Sequence, residues 1–228
     1  DRPNPNGMII DGPVLDLKFR AFVGMHPIPT LHGLTVGELA KMINGEGWLE
    51  NSVTCDLKVI TVENYDHSIA YLLPVKPSPN LPNQKSIVLY PSLALFEGTQ
   101  VSVGRGTQQP FLQYGHPSFK SDHSFTPVSI PGMSKYPPLE GQKCFGKYLG
   151  DTEIQPGFNL GYLLSAYAEI EDKDNFFKPY FNTLMGNDQT MQQVKQGLSE
   201  AQIKATWQAG LTAYKTKRRK YLLYDDFE

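Results

Sequence analysis

The sequence predicts an α+β fold, a mixed sheet of short strands followed by C-terminal helices, with long ordered loops between them. Three observations lead there. Short apolar runs with strand patterning fall in the first two thirds of the 228 residues, and helical spacing of apolar residues dominates the last third. Gly 20 and Pro 18 exceed ordinary usage, so turns and loops take a large share. Hydrophobic residues at 40% allow a packed core, and charged residues at 19% argue against wholesale disorder.

The elements follow in order. Thr35 with Glu38 three residues later forms a capping box, after which Leu39, Met42 and Ile43 share one helical face until Asn44-Gly45 ends the helix. Leu57, Val59 and Thr61 alternate with Lys58, Ile60 and Val62, which reads as a strand over residues 57–62. Residues 74–82 hold too many prolines for ladder pairing and read as an ordered extended loop. The apolar run Ser86-Ile87-Val88-Leu89-Tyr90, stopped by Pro91, reads as a buried strand. Residues 98–138 lack long periodicity and carry several rings, the composition of binding loops. A strand is expected over residues 143–148 and a helix over 158–170, where Leu160, Leu163, Leu164 and Tyr167 recur at helical spacing. Ser199 and Gln202 form a second capping box, and Ile203, Trp207, Leu211 and Tyr214 mark the core stripe of a helix reaching about Tyr221.

Charge and cysteine usage narrow the function classes. A formal net charge of -2 lacks the basic excess of a nucleic-acid binder, so no nucleic-acid partner is expected. The cluster Lys215, Lys217, Arg218, Arg219 and Lys220 falls at a helix C-terminus and is read as complementing its dipole. No apolar run approaches the roughly 20 residues of a membrane span. Cys55 and Cys144 are taken as free, structural residues. The opening DRPNPNG has no initiating Met and no signal peptide, and the expectation is a loop or linker with something removed upstream.

The chemistry concentrates between Phe96 and Thr107, where Glu97 and Arg105 sit among glycines and hydroxyl side chains. Glycine lets a backbone approach a ligand closely. The Gln108-Gln109-Pro110 that follows is not the Lys-Ser/Thr helix start of a phosphate loop, which removes a nucleotide site. Arg105, between Gly104 and Gly106, presents a fork suited to a carboxylate; the alternative is that it pairs with Glu97 to hold the loop. His26, His32, His67, His116 and His123 show no metal-binding spacing, and no GxSxG elbow is present. Neither metal nor cofactor is expected. The residues alone point to a polar, aromatic-lined site for a hydroxylated, anionic ligand.

Several motifs occur in order over nearly the whole chain: DRPNPNG at the start, GPVLD at residues 12–16, PIPTLHGLTVGELA at 27–40, PSPNLP at 77–82, LFEGTQVSVGRGTQQPF at 95–111 and YLLY at 221–224. Together they resemble the DUF1343 family, which includes exo-β-N-acetylmuramidases of the NamZ type. The resemblance implies a Rossmann-like N-terminal domain, a smaller C-terminal α/β domain and an active site in the cleft between them. Residues 1–10 would be the junction motif of that N-terminal domain and residues 11–228 the C-terminal domain. The implied reaction is release of N-acetylmuramic acid from non-reducing ends of peptidoglycan fragments, with a catalytic glutamate in the N-terminal part. Residues 64–73 depart from a Trp- and Asp-rich stretch of the family pattern.

Muramic acid carries a lactyl carboxylate, so the implied site needs a cation: Arg105 first and Arg2 second. Glu97 is the candidate catalytic carboxylate, with orientation of Arg105 as its other role. Asp1, Asn4, His32, Asn80 and Tyr90 complete the implied substrate-binding set, with His32, Asn80 and Tyr90 expected near the glycine loop. The partners expected are muropeptides and the Rossmann-like domain, and the place is the periplasm or surface of a bacterium. Two other readings stay open: a non-catalytic carbohydrate-binding or scaffolding domain, and a hydrolase for another anionic small molecule.

Overall fold

The structure, a computed structural model, describes residues 1–227. It is a mixed α+β fold with seven helices and two small antiparallel sheets among the described residues. Strands β1 (Ile10–Val14) and β2 (Pro29–His32) pair with Ile10 opposite His32, and a bulge shifts the register before Val14 meets Pro29. Gly12 lies at that bulge with φ +91, and a Cβ there would meet Thr30 at 2.8 Å. Strands β3 (Gln113–His116), β4 (His123–Phe125) and β5 (Cys144–Tyr148) form the second sheet in the order β3-β5-β4. The strand expected at residues 143–148 is β5, whereas β3 and β4 are too short and polar to show a period.

Helix α1 (Val36–Gly45) starts at the Thr35–Glu38 capping box. Helix α2 (Gln84–Leu93) corrects the expected strand at residues 86–90. Its start is another capping box: Asn83 accepts from the Ser86 amide and Ser86 returns the bond. The Val and Ile content mimicked a strand, and Pro91 is tolerated inside the helix. Pro91 has no N–H for the Ile87 carbonyl, and Asn6 Nδ2 donates to that carbonyl instead, at 3.3 Å. The segment 57–62 is a second correction. It belongs to no strand, because nothing among the described residues lies alongside it as a ladder partner.

Helices α3 (Gly161–Glu169), α4 (Phe181–Met185), α5 (Gln189–Lys195), α6 (Glu200–Ala205) and α7 (Gln208–Arg218) complete the fold. The single helix expected from Ser199 to Tyr221 is α6 and α7, joined by tighter bonds at Thr206 and Trp207 and followed by a 3-10 turn at Arg219–Tyr221. Its stripe is core throughout: Ile203, Trp207, Leu211 and Tyr214 are all buried, and Trp207 meets the Phe158 ring edge at 5.8 Å. Ile203, Trp207 and Leu211 close a cluster that includes Leu89, Leu93, Phe96, Phe111, Tyr114, Phe176 and Phe181, whereas Tyr214 packs with Leu34 and Met42.

The basic cluster needs revising at Arg218. That side chain is 1% exposed, donates through Nε and Nη2 to the Gly33 carbonyl, and holds Asp226 with Nη1 and Nη2. Dipole complementation cannot describe a buried, fully engaged guanidinium. Cys55 and Cys144 are free; burial pushes the Cys144 thiol up to about 11, which leaves it unreactive. Among the described residues no helix is long and apolar enough to cross a membrane.

Candidate functional site

The glycine-rich loop is fastened at both ends. Gly98 lies against the backbone of Phe181, where a Cβ would come within 2.6 Å of its Cα. Farther on, Ser102 and Gly115 exchange backbone bonds of 2.9 Å, which straps the loop to β3. Gly104 and Gly106 take φ +76 and +79, and side chains at these points would run into Gln113 and the Val128 carbonyl. Arg105 is therefore delivered from a rigid turn.

Arg105 Nε donates to Glu97 Oε1 at 2.5 Å, and each side chain keeps about a quarter of its surface, 26% and 27%. The guanidinium stacks 4.9 Å above the buried Phe111 ring, and Tyr90 packs on that ring at 4.9 Å between centroids. Burial raises the Tyr90 phenol, the Glu97 charge raises it further, and Arg105 opposes both. Among the described residues no hydrogen bond takes Arg105 Nη1 or Nη2. A planar donor edge thus stays open to solvent beside a carboxylate and a phenol, an arrangement that can grip an external carboxylate. Behind the loop, Thr107 Oγ1 donates to the Gly104 carbonyl and accepts from Gln113 Nε2, while Gln113 Oε1 meets His123 Nε2 at 2.8 Å.

The other expected residues lie elsewhere. Asp1 accepts from Thr35 Oγ1, the Gly37 amide and the Tyr224 hydroxyl, each at 2.7 Å, and so sits at the start of α1. Arg2 is exposed beside it. Asn4 holds the Leu34 carbonyl through Nδ2 and accepts from the Asn6 amide. His32 does not join the glycine loop. Its Nδ1 accepts from the Leu34 amide and its carbonyl from the Tyr214 hydroxyl. Burial, and then the nearby Arg218 charge, pull the imidazole down to about 4 against an opposing Glu38. It lines a groove of about 350 Å³ with Phe22, Met25, Leu39 and Met185. Asn80 reaches the loop indirectly: Nδ2 donates to the Met133 carbonyl at 2.8 Å, and the chain just before it carries Val128, whose amide donates to the Gly106 carbonyl. Its Oδ1 is buried without a partner among the described residues.

Of the expected set, then, Glu97, Arg105 and Tyr90 come together. Sequence reasoning missed Phe111 and Gln113 as supports, although both fall within or just after the quoted 95–111 motif. Among the described residues no group of three His, Cys, Asp or Glu side chains could hold a metal ion.

Residues 88–224 match the family described as exo-β-N-acetylmuramidase NamZ, C-terminal, and residues 1–85 match its N-terminal counterpart. The chain belongs to the NamZ family. It is 33% identical over 245 residues to the peptidoglycan β-N-acetylmuramidase NamZ of Bacillus subtilis (strain 168), covering 98% of this chain and 58% of that protein. A crystal structure of a DUF1343 family protein from Bacteroides fragilis NCTC 9343 superposes with a TM-score of 0.96 at 49% identity, over 99% of this chain and 65% of that one. A second DUF1343 protein of that organism shares the fold, with a TM-score of 0.76 at 22% identity. The chain thus spans under two thirds of these NamZ-family relatives. The two family matches meet at the start of α2, which puts Glu97, Arg105 and Tyr90 in the C-terminal match and Asp1, Arg2, Asn4, His32 and Asn80 in the N-terminal one.

Proposed function

We propose that the chain is part of an exo-acting β-N-acetylmuramidase that removes N-acetylmuramic acid from the non-reducing ends of peptidoglycan fragments. Family membership and the B. subtilis relative support the reaction class. The observation that carries the substrate assignment is the half-open guanidinium of Arg105, oriented by Glu97 and Phe111. Its free Nη edge matches the lactyl carboxylate that separates muramic acid from N-acetylglucosamine. Tyr90 lies beside it, packed on the same Phe111 ring, to meet a sugar hydroxyl.

Glycoside hydrolysis generally uses two carboxylates on either side of the scissile bond. Glu97 is bound to Arg105, so orientation is its first role, and direct catalysis would need a second carboxylate across the cleft. In this reading the cleft is shared with a Rossmann-like N-terminal domain, the protein acts in cell-wall recycling, and it works in the periplasm or at the bacterial surface.

The test is Arg105→Lys in a protein carrying the whole family sequence, assayed on a chromogenic β-N-acetylmuramide and on the matching N-acetylglucosaminide. Losing a charge-assisted bond of roughly 1.5–3 kcal/mol lowers kcat/KM on the muramide by about one to two orders of magnitude. Turnover of the glucosaminide, which has no carboxylate, stays unchanged. Equal losses on both substrates would refute the pairing, and binding of muropeptides without turnover would leave a non-catalytic carbohydrate-binding protein.

A further inference from the structure

We infer that Gln113 and His123 are positioning residues for Arg105, holding its turn through a hydrogen-bond chain that crosses the second sheet. The ligand at which Arg105 is aimed rests on the function proposed above; the chain of bonds does not.

Residues 104–107 form a tight turn, closed by the bond from the Thr107 amide to the Gly104 carbonyl at 3.1 Å. Arg105 takes its first corner and Gly106, with φ +79, its second. The same carbonyl accepts from Thr107 Oγ1 at 2.7 Å. A hydroxyl has one proton to give and two lone pairs to fill. Here both lone pairs are taken, by the Gln109 amide at 3.1 Å and by Gln113 Nε2 at 2.9 Å, so the proton goes to Gly104. Whatever orients that hydroxyl therefore holds the peptide unit that leads into Arg105.

Gln113 has a direction of its own. An amide donates from nitrogen and accepts at oxygen, and exchanging its two ends would set Oε1 against Thr107 and draw the hydroxyl proton away from Gly104. His123 opposes that exchange: its Nε2 meets Gln113 Oε1 at 2.8 Å and, facing an acceptor, carries the hydrogen. The sheet makes room for the contact. Strand β5 separates β3 from β4, with Gln113 opposite Tyr148 and both Gly115 and His123 opposite Gly146. Residues paired across strands, and residues two apart along one strand, share a face. Gly115 and Gly146 thus leave the middle of that face bare, and Gln113 and His123 meet over it. Gln113 is 3% exposed, and a buried amide left without partners is costly, so its bonds persist. The His123 ring packs with Phe125 at 6.1 Å and Tyr148 at 5.5 Å between centroids.

The test uses a protein carrying the whole family sequence with isotope-labelled arginine, the Arg105 Nε–H signal being assigned by its loss in Arg105→Lys. Hydrogen exchange of that Nε–H, which Arg105 donates to Glu97, reads how firmly the guanidinium is held whatever the substrate. Gln113→Met keeps the length and loses the amide, His123→Phe keeps the ring and loses the donor, and Thr107→Val keeps the shape and loses the hydroxyl. Each speeds exchange by about 5- to 10-fold, the worth of one neutral hydrogen bond, and Thr107→Ser restores the rate. Unchanged exchange in Gln113→Met and Thr107→Val would overturn the proposal, and so would Thr107→Ser behaving as Thr107→Val does. Should Gln113→Met not fold, the Val and Ser variants at the partly buried Thr107 decide between them. With substrates, a slackened Arg105 raises KM for the muramide by a similar factor while kcat is nearly kept, and leaves the glucosaminide unaffected. Faster exchange with equal effects on both substrates would keep the positioning and sink the lactyl carboxylate as the ligand. A muramide-selective loss in Arg105→Lys with unchanged exchange in the other variants would do the reverse.

Discussion

From residue 88 onward the chain buries one continuous apolar cluster that runs from Leu89 and Phe96 through Phe111 and Phe158 to Ile203, Trp207 and Leu211. Residues 1–85 contribute Leu31 to its buried members, pack Ile9, Ile10 and Leu81 against its edge, place Leu34 and Met42 in a small second cluster with Tyr214, and add a set of polar contacts. Those contacts are long in sequence. Asp1 meets Tyr224, Glu38 meets His67 and the Leu223 amide, and Arg218 spans Gly33 and Asp226. The C-terminal tail acts as a clasp around α1. A region that carries its own core is stable by packing, whereas one fastened by ion pairs and caps depends on every partner being present and correctly charged.

The largest expected effect lies in the packed region. Trp207→Ala removes a 6%-exposed indole between α6 and α7, where it meets Phe158. Large-to-small changes of this kind cost about 3–5 kcal/mol, read from the denaturant midpoint at constant slope. A cost below about 1 kcal/mol would mean that the stripe is not the centre of the cluster and that the contrast between the two regions is false.

The same contrast explains what could be read from the residues alone. Trp207 was legible because a stripe at helical spacing needs only near neighbours to declare itself, and the capping boxes at Thr35 and Ser199 work in the same way. The box at Asn83 was missed because the β-branched content and Pro91 spoke for a strand, and the Asn6 bond that tolerates Pro91 comes from 81 residues away. Residues 57–62 alternate as a strand does, yet they form none, because no ladder partner lies beside them among the described residues. At the candidate site, Glu97 and Arg105 were legible as a choice between ligand binding and mutual pairing; the geometry shows the pairing through Nε and leaves Nη1 and Nη2 without a hydrogen bond among the described residues. His32 was misplaced because its environment is set by Arg218, 186 positions later in the chain.

The clasp region should respond to acid before the packed one does. His32 has a folded value of about 4 against an ordinary 6.5, so below pH 6.5 the unfolded chain takes up a proton that the folded chain refuses. Stability therefore falls as pH drops from 6.5 toward 4 and levels off below, by about 3 kcal/mol at roughly 1.4 kcal/mol per unit. Glu38 and Asp226 add losses of the same sign at lower pH. Burial alone would raise both carboxyls; bonds from His67, Leu223 and Thr35 hold Glu38 low, and the Arg218 pair holds Asp226 low. His32→Asn keeps an acceptor for the Leu34 amide and removes the titration. Its melting temperature should lose the dependence between pH 6.5 and 4.5, and an unchanged slope would assign the acid response to another group.

The smallest expected effect lies at the seam, where the N-terminal motif meets α2. Pro91 cannot donate to the Ile87 carbonyl, so that acceptor depends on Asn6 Nδ2 at 3.3 Å. Asn6→Ala leaves it to solvent and should cost about 0.5–1.5 kcal/mol, the net worth of one neutral hydrogen bond. Loss of packing around Asn6 would give a similar number, so the single variant does not decide the cause. Pro91→Ala restores a backbone donor to Ile87 and makes Asn6 redundant. If the bond is what matters, Asn6→Ala in the Pro91→Ala background should cost nearly nothing, a coupling of about 1 kcal/mol in the double-mutant cycle. Equal costs in the two backgrounds would show that Asn6 joins the regions by packing, and the seam would then belong with the apolar core rather than with the clasp.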